Sequence, residues 1–373
     1  MGQALDELLR AAAADQRVIG FAGGLPCPTL FPRRALTAAF LRALQARDVP
    51  ALQYAWPEGF EPLRQHIARW LARRGAEVSP DEIIVTSGAQ QAITIAAQLV
   101  LRRGAAIGVD AETYPSALDA FRTLRLCPTT NGHARVLYRM PAVSNPGGVA
   151  MGEAERRATL ARARFVIEDD AYGDLRFLAA APPPLLAASR ARVLYVGTFS
   201  KTLGPGLRVG FLIVPPPLHA RALRRKADDD LQTNSLSQAI VQEYLAHNDF
   251  EALVARLRRN YGRRAERLMT AVRRHLPRWS FTPPAGGFGL WLSADSRVDE
   301  AAFLRRSVAA GVSFDPGSRF LAEPGARDRP TSLRLCFSAV PEVAIDEGVR
   351  RLARAFAATV RRRSRRRRPT ALR

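Results

Sequence analysis

Between residues 83 and 214 the chain alternates short aliphatic runs with stretches of helical spacing, and that alternation narrows its fold more than any other feature. Ile83-Ile84-Val85-Thr86, Arg135 to Met140, Phe165 to Ile167, Val193 to Val196 and Val209 to Val214 are each too short for a helix. Helices or loops separate several of them, the clearest being the apolar helix expected from Ala92 to Leu101. Strands that alternate with helices imply an α/β fold with a mainly parallel, helix-covered sheet, whose ligands bind beyond the carboxyl ends of the strands.

The flanking regions read differently. Residues 35 to 47 and 60 to 74 have helical spacing, with Leu63, Ile67, Trp70 and Leu71 on one face. The segment from Val18 to Pro26 reads as a strand fragment breaking into a turn. From about residue 250 the pattern becomes a long helix, a strand at Gly287 to Leu292, a helix at 299 to 310, strands near Val312 to Phe314 and Ser332 to Phe337, and a final helix. On that last helix Ile345, Val349, Leu352 and Phe356 form an apolar face. We expect an N-terminal arm over 1–45 that contributes to the smaller domain, a large α/β domain over 46–250, a smaller α+β domain over 251–358, and a disordered basic tail over 359–373.

Composition removes several classes of function. The chain of 373 residues is 47% hydrophobic, enough for well-buried cores. Its formal charge of +22 would suit nucleic acid, but Arg361 to Arg368 carries seven of those charges and the rest lack interleaved aromatics, so a nucleic-acid role is not expected. Cys27, Cys127 and Cys336 are far apart, the five histidines form no cluster, and no metal site is expected. Neither a secretory leader nor an apolar run long enough for a membrane helix is visible, which with the free thiols suggests the cytoplasm.

The chain has only two lysines against 54 arginines. One of them, Lys201, lies in Thr198-Phe199-Ser200-Lys201-Thr202-Leu203-Gly204-Pro205-Gly206-Leu207-Arg208. Lysine is the cation that can lose its proton and form an imine, so Lys201 is the first catalytic candidate. Two strands flank this loop, and its hydroxyls and Arg208 can hold an anion beside the amine. A second anion cup is expected where strand 83–86 turns through Ser87-Gly88-Ala89-Gln90 into a helix. Glu168-Asp169-Asp170-Ala171-Tyr172 follows a strand and so falls at a carboxyl end. Arg334 interrupts the apolar strand Ser332 to Phe337, where a buried arginine needs an anion, either a ligand or a structural ion pair.

Together these segments resemble the fold-type-I pyridoxal-phosphate (PLP) enzymes, in particular the class I/II aminotransferases, over residues 18 to 358. Within that family Phe21-Ala22-Gly23-Gly24-Leu25-Pro26, Pro284-Ala285-Gly286-Gly287-Phe288 and Asp315-Pro316-Gly317-Ser318-Arg319-Phe320 look most like the α-aminoadipate/kynurenine aminotransferase branch and the similar domain of MocR-type regulators. The resemblance implies that Lys201 carries PLP as a Schiff base, Asp169 faces the pyridinium, and Tyr172 and Asn145 reach the ring oxygen. It implies that Tyr114 stacks on the ring, and that Gly88, Ala89, Gln90, Thr198 and Arg208 hold the phosphate. It further implies that Arg334, with Asn145, clamps the substrate carboxylate, that Gly24 lines the substrate pocket, and that Tyr54 reaches the phosphate of a neighbouring subunit in a homodimer. The activity so implied moves an amino group from an L-amino acid to a 2-oxo acid.

One departure stands out. Only 31 residues separate Tyr114 from Asn145, where the family usually has about twice that, including a strand and a crossover helix. The segment Leu124 to His133 has to replace both, so a sheet-covering helix is expected to be missing and the wall carrying Tyr114 and Asn145 to be loosened. Gly147 stands where the family has threonine. A second reading therefore stays open: a PLP-binding sensor without turnover, related to MocR-type regulators, although the match begins too near Met1 to leave room for their DNA-binding domain.

Overall fold

The computed structural model describes residues 2–45, 51–177, 181–323 and 330–366. In chain order its strands are β1 (Ile19–Phe21), β2 (Ile83–Thr86), β3 (Ala106–Gly108), β4 (Cys127–Thr129), β5 (Val136–Arg139), β6 (Phe165–Asp169), β7 (Val193–Thr198), β8 (Gly210–Ile213), β9 (Trp279–Ser280), β10 (Gly289–Ala294), β11 (Val312–Pro316) and β12 (Ser332–Cys336). Seven of them form a sheet in the order β2-β8-β7-β6-β5-β3-β4, with β8 antiparallel to both neighbours and every other pair parallel. The α/β expectation holds for this sheet. Residues of β2, β5 and β8 are buried throughout, as strands covered on both faces must be.

The second sheet has the order β1-β11-β12-β10-β9 and is antiparallel except where β1 lies parallel to β11. The N-terminal strand fragment thus joins the C-terminal strands, Ile19 pairing with Val312. A 26-residue helix, Phe250–His275, packs against β10 and the final helix. The Asp249 carboxylate caps its first turn by accepting from Ala252 N–H at 2.9 Å, and Arg273, Arg274 and His275 complement the dipole at its last turn.

Helix bounds shift slightly from expectation. Helices run over Arg33–Gln45 and Glu61–Arg73, residues 46 and 47 lying outside the described residues. The helix expected from Ala92 begins earlier, as Ala89–Val100, because Gly88 at φ 86° turns the chain out of β2 directly into it. The final helix is Ile345–Arg366 and so continues past the expected boundary at 358, while residues 367–373 lie outside the described residues.

The short segment after Tyr114 folds in a way its length only half foretold. The strand is kept as β4 on the sheet edge, and the helix between β4 and β5 is absent, its place taken by residues 130–135. Thr129 and Leu137 both pair with Gly108, so the link crosses β3 within a few residues. Gly108 makes that possible. A Cβ there would come 2.5 Å from Leu137 Cδ2 and 3.2 Å from Ala134 Cβ, so the link and β5 press directly onto its bare backbone. Beside it the buried Arg139 donates to the carbonyls of Gly108 (3.1 Å) and Tyr138 (2.8 Å).

Candidate active site

Loops at the carboxyl ends of β5, β6 and β7 and the start of helix Ala89–Val100 enclose a cavity that contains Lys201. Lys201 follows β7 in a turn whose first residues are fixed locally, Ser200 N–H donating to Thr198 Oγ1 at 3.1 Å. Its Nζ lies 5.6 Å from the ring centroids of both Tyr172 and Phe288. Burial, reinforced by Arg334, holds the Lys201 ammonium below the usual lysine range, which favours a neutral, nucleophilic amine.

Asp169 ends β6 in the same cavity and is almost wholly buried. Its Oδ2 accepts from Tyr138 Oη at 2.6 Å and its Oδ1 from Ala171 N–H at 3.1 Å, and among the described residues no cation lies at ion-pair distance, Lys201 attracting it from farther off. Burial pushes this carboxyl up to about 6, against the downward pull of Tyr138 and the Ala171 amide. Its neighbours have other partners. Glu168 accepts from the N–H groups of Leu185 (2.8 Å) and Leu186 (2.9 Å), and Asp170 pairs with Arg74 at 2.6 Å and accepts from Tyr195 Oη at 2.6 Å. Of the three consecutive acids, Asp169 is the one that lines the cavity.

An anion cup forms the far end. Gly88 caps helix Ala89–Val100, whose first amides have no partner within the helix, and Arg208 lies beside it. A Cβ on Gly88 would fall 2.5 Å from Arg208 Nη2, so only glycine leaves this cradle open. Gly210 keeps it open from beneath, since a Cβ there would sit 2.9 Å from Ala89 N. The Gln90 side chain donates to Ser116 O at 2.8 Å, tying the cup to the segment after Tyr114.

Opposite the cup, Arg334 donates from Nη1 to Asn145 Oδ1 at 2.6 Å and from Nε and Nη2 to Asp315 Oδ2 at 3.1 and 2.8 Å. Its guanidinium carbon lies 4.7 Å from the Phe320 centroid. A Cβ on Gly24 would be 3.3 Å from its Nη2, and one on Gly289 only 2.9 Å from its Cγ.

The sequence profile described as aminotransferase class I and II matches residues 28–130 and 140–352. The chain belongs to this family. The 2-aminoadipate transaminase of Thermus thermophilus is 34% identical over 366 residues, covering 91% of this chain and 90% of that protein. The aromatic-amino-acid aminotransferase 1 of Thermococcus litoralis is 32% identical, covering 93% and 89%. Among solved structures, the Pyrococcus horikoshii kynurenine aminotransferase, in complex with PMP, superposes with a TM-score of 0.87 at 31% identity over 95% of this chain and 94% of that one. Regulators of the MocR type also match, at lower identity. The expected fold-type-I architecture is therefore the observed one.

In this aminotransferase Ala89, Gln90, Tyr114, Asn145, Asp169, Tyr172, Thr198, Lys201 and Arg208 line one cavity. Gly88 borders it through Arg208, while Arg334 joins it through Asn145 and Gly24 through Arg334. Despite the short crossover, Tyr114 and Asn145 line the same cavity. Tyr54 stands apart. It is 75% exposed and does not line the cavity of its own chain. Sequence reasoning gave no role to Met140 and Pro205, which line the cavity, or to Tyr138 and Asp315, which hold Asp169 and Arg334.

Among the described residues no helix is long and apolar enough to cross a membrane, and no His, Cys, Asp or Glu group could hold a metal.

Proposed function

We propose that the cavity around Lys201 holds PLP and that its residues carry the amino-group transfer of the family, from an L-amino acid to a 2-oxo acid. The observation that carries this reading is Asp169. It is a buried carboxyl with hydrogen bonds but no cation at ion-pair distance among the described residues, Lys201 attracting it only from farther off, in a fold where a buried charge without a close partner is costly. A protonated ring nitrogen would supply that close cation. The open cradle at Gly88, the amides of Ala89 and Gln90, and Arg208 suit a phosphate dianion. Asn145 Nδ2 remains a donor after its Oδ1 has accepted from Arg334.

Bound there, PLP supplies an aldehyde that captures amines and a ring that withdraws electrons from the substrate Cα–H bond. Lys201 would hold the cofactor, and its amine, kept below the usual lysine range by burial, is placed to take up and give back a proton beside the bound substrate. Asp169 would keep the ring nitrogen protonated, Tyr172 and Asn145 would donate toward the ring oxygen, and Tyr114 would stack on the ring. Arg334 offers its remaining Nη1 and Nη2 protons to the substrate carboxylate, the pair that binds such a group bidentately. Gly24 leaves the space beside that pair open.

The site is a shared one. Tyr54 and Trp56 are 75% and 76% exposed, and Leu52 and Leu231 are exposed as well, large apolar side chains that an interface would cover. We assign that interface to a second copy of the chain, with Tyr54 reaching the partner's phosphate cup. The named relatives and the branch resemblance direct the substrate search to α-aminoadipate-like and aromatic amino acids. Assaying a panel of L-amino acids against 2-oxoglutarate, with Lys201→Ala as control, tests the reading. Glutamate must form with at least one donor, and only with Lys201 present.

A further inference from the structure

The second lysine of the chain lies where the first would not predict it. Lys226, on helix His219–Asp230, has a side chain 0% exposed and forms an ion pair with Asp230 Oδ1 at the end of the same helix. The other oxygen of Asp230, Oδ2, accepts from Ser87 Oγ at 2.8 Å. Ser87 is the residue immediately before the Gly88 cradle.

Every polar group of Ser87 is engaged. Its hydroxyl donates to Asp230, its N–H donates to Gln91 Oε1 at 2.8 Å, and its carbonyl accepts from Arg208 Nη2 at 3.0 Å. Ser87 therefore has no donor left for an anion. It is instead the pivot from which the Gly88, Ala89 and Gln90 amides and the Arg208 guanidinium are aimed. Beyond Asp230 the chain makes a tight turn, with Leu231 at φ 60° and Gln232 N–H donating to Asp230 O at 2.6 Å. Such backbone is rare for a leucine and is held only by strong surroundings. Gln232 then accepts from Ala55 N–H, and Ser235 Oγ donates to Gln53 O at 2.9 Å, on either side of Tyr54. One strap thus contacts both the cup and the loop that presents Tyr54.

We propose that Lys226 and Asp230 are positioning residues of the phosphate cup, acting through Ser87, which their ion pair locks in the orientation that aims the cup's donors at an anion. The inference rests on the reading of this cavity as a PLP site. It also explains the choice of cation in a chain that, Lys201 apart, uses arginine everywhere else. A fully enclosed guanidinium would bring five N–H donors to satisfy, whereas the ammonium has three on a compact head.

The test titrates apo-protein with PLP and with pyridoxal, which lacks the phosphate, for the wild type, Asp230→Ala, Lys226→Met, Ser87→Ala and Ser87→Thr. Melting temperatures with and without inorganic phosphate are measured alongside. The wild type prefers PLP over pyridoxal, and phosphate alone raises its melting temperature. In Asp230→Ala, Lys226→Met and Ser87→Ala the PLP affinity falls on the order of tenfold, as when an outer partner of a ligand shell is lost, with pyridoxal affinity unchanged. The phosphate-induced rise shrinks in step, and Ser87→Thr, which keeps the hydroxyl, retains the wild-type preference. Should Lys226→Met or Asp230→Ala fail to fold, Ser87→Ala decides, since it deletes one hydroxyl. Variants that melt earlier yet keep the full PLP-over-pyridoxal ratio overturn the inference alone and reduce the pair to packing. A wild type with no preference for PLP overturns the cofactor reading together with it.

Discussion

Asp315 and Arg334 face each other across β11 and β12, and Asp315 Oδ2 takes the Nε and Nη2 protons of Arg334 at 3.1 and 2.8 Å. The Asp315 carboxylate is itself held by Gly23 N–H, 3.1 Å from each oxygen. The arginine is thereby turned so that its other edge faces Asn145. Replacing Arg334 by lysine removes the fork. Since hydrogen bonds between charged groups contribute about 1.5–3 kcal/mol, KM for the amino acid should rise roughly 10- to 100-fold. Asp315→Ala should raise KM as well, with a smaller change in kcat. Steady-state kinetics of both variants check this, and an unchanged KM would remove Arg334 from the substrate site.

Asp169 gives a pH signature. Its carboxyl is pushed up to about 6 by burial, so in the apo-protein it is charged above that pH and neutral below it. PLP affinity should therefore fall as pH drops through about 6. The hydrogen bond from Tyr138 lowers this value, so Tyr138→Phe should move the midpoint of the binding curve to higher pH. Titrating apo-protein with PLP between pH 5 and 8, a range chosen to span the usual ionisation of perturbed carboxyls, measures both.

Gly88 is at φ 86° and a Cβ there meets Arg208. Gly88→Ala should fold, since the clash lies at the end of a flexible side chain, yet bind PLP much more weakly than the wild type. Circular dichroism and a PLP titration separate the two effects.

The crossover link depends on Gly108. An alanine Cβ has to push Leu137 and Ala134 away, and overpacking of this kind costs about 1–3 kcal/mol. Gly108→Ala should lower the denaturant midpoint accordingly with an unchanged slope. A stability equal to wild type would mean that the link does not rest on β3.

Much of this is legible in the sequence. Lys201 stood out because lysine is almost absent elsewhere, and the β2 turn into a helix could be read from Ser87-Gly88-Ala89. Glu168-Asp169-Asp170 could be placed at a strand end, and it was the surrounding partners of Glu168 and Asp170 that left Asp169 to the cavity. Other features have no local signal. Tyr138 reads as an ordinary strand residue until β6 places Asp169 beside it, and Asp315 as a turn acid until β12 brings Arg334 opposite. Gly108 and Ala134 are small residues whose meaning depends on the link crossing β3. Tyr54 is exposed on its own chain, and its proposed role needs a second copy.

That role has its own test. Mixing Tyr54→Ala with Lys201→Ala and allowing subunits to exchange should restore activity above either parent, because a hybrid dimer contains one complete site. No gain after proven exchange would place Tyr54 outside the partner's site.

The absorbance spectrum of the purified protein, before and after adding amino donors, bears most directly on the central claim. We predict a visible band near roughly 420 nm, the signature of lysine-bound PLP, that is missing in Lys201→Ala and is bleached by a donor as its 2-oxo acid appears. A protein that shows no band even after PLP is added, or a band that survives in Lys201→Ala, would contradict the assignment of Lys201 and the mechanism built on it.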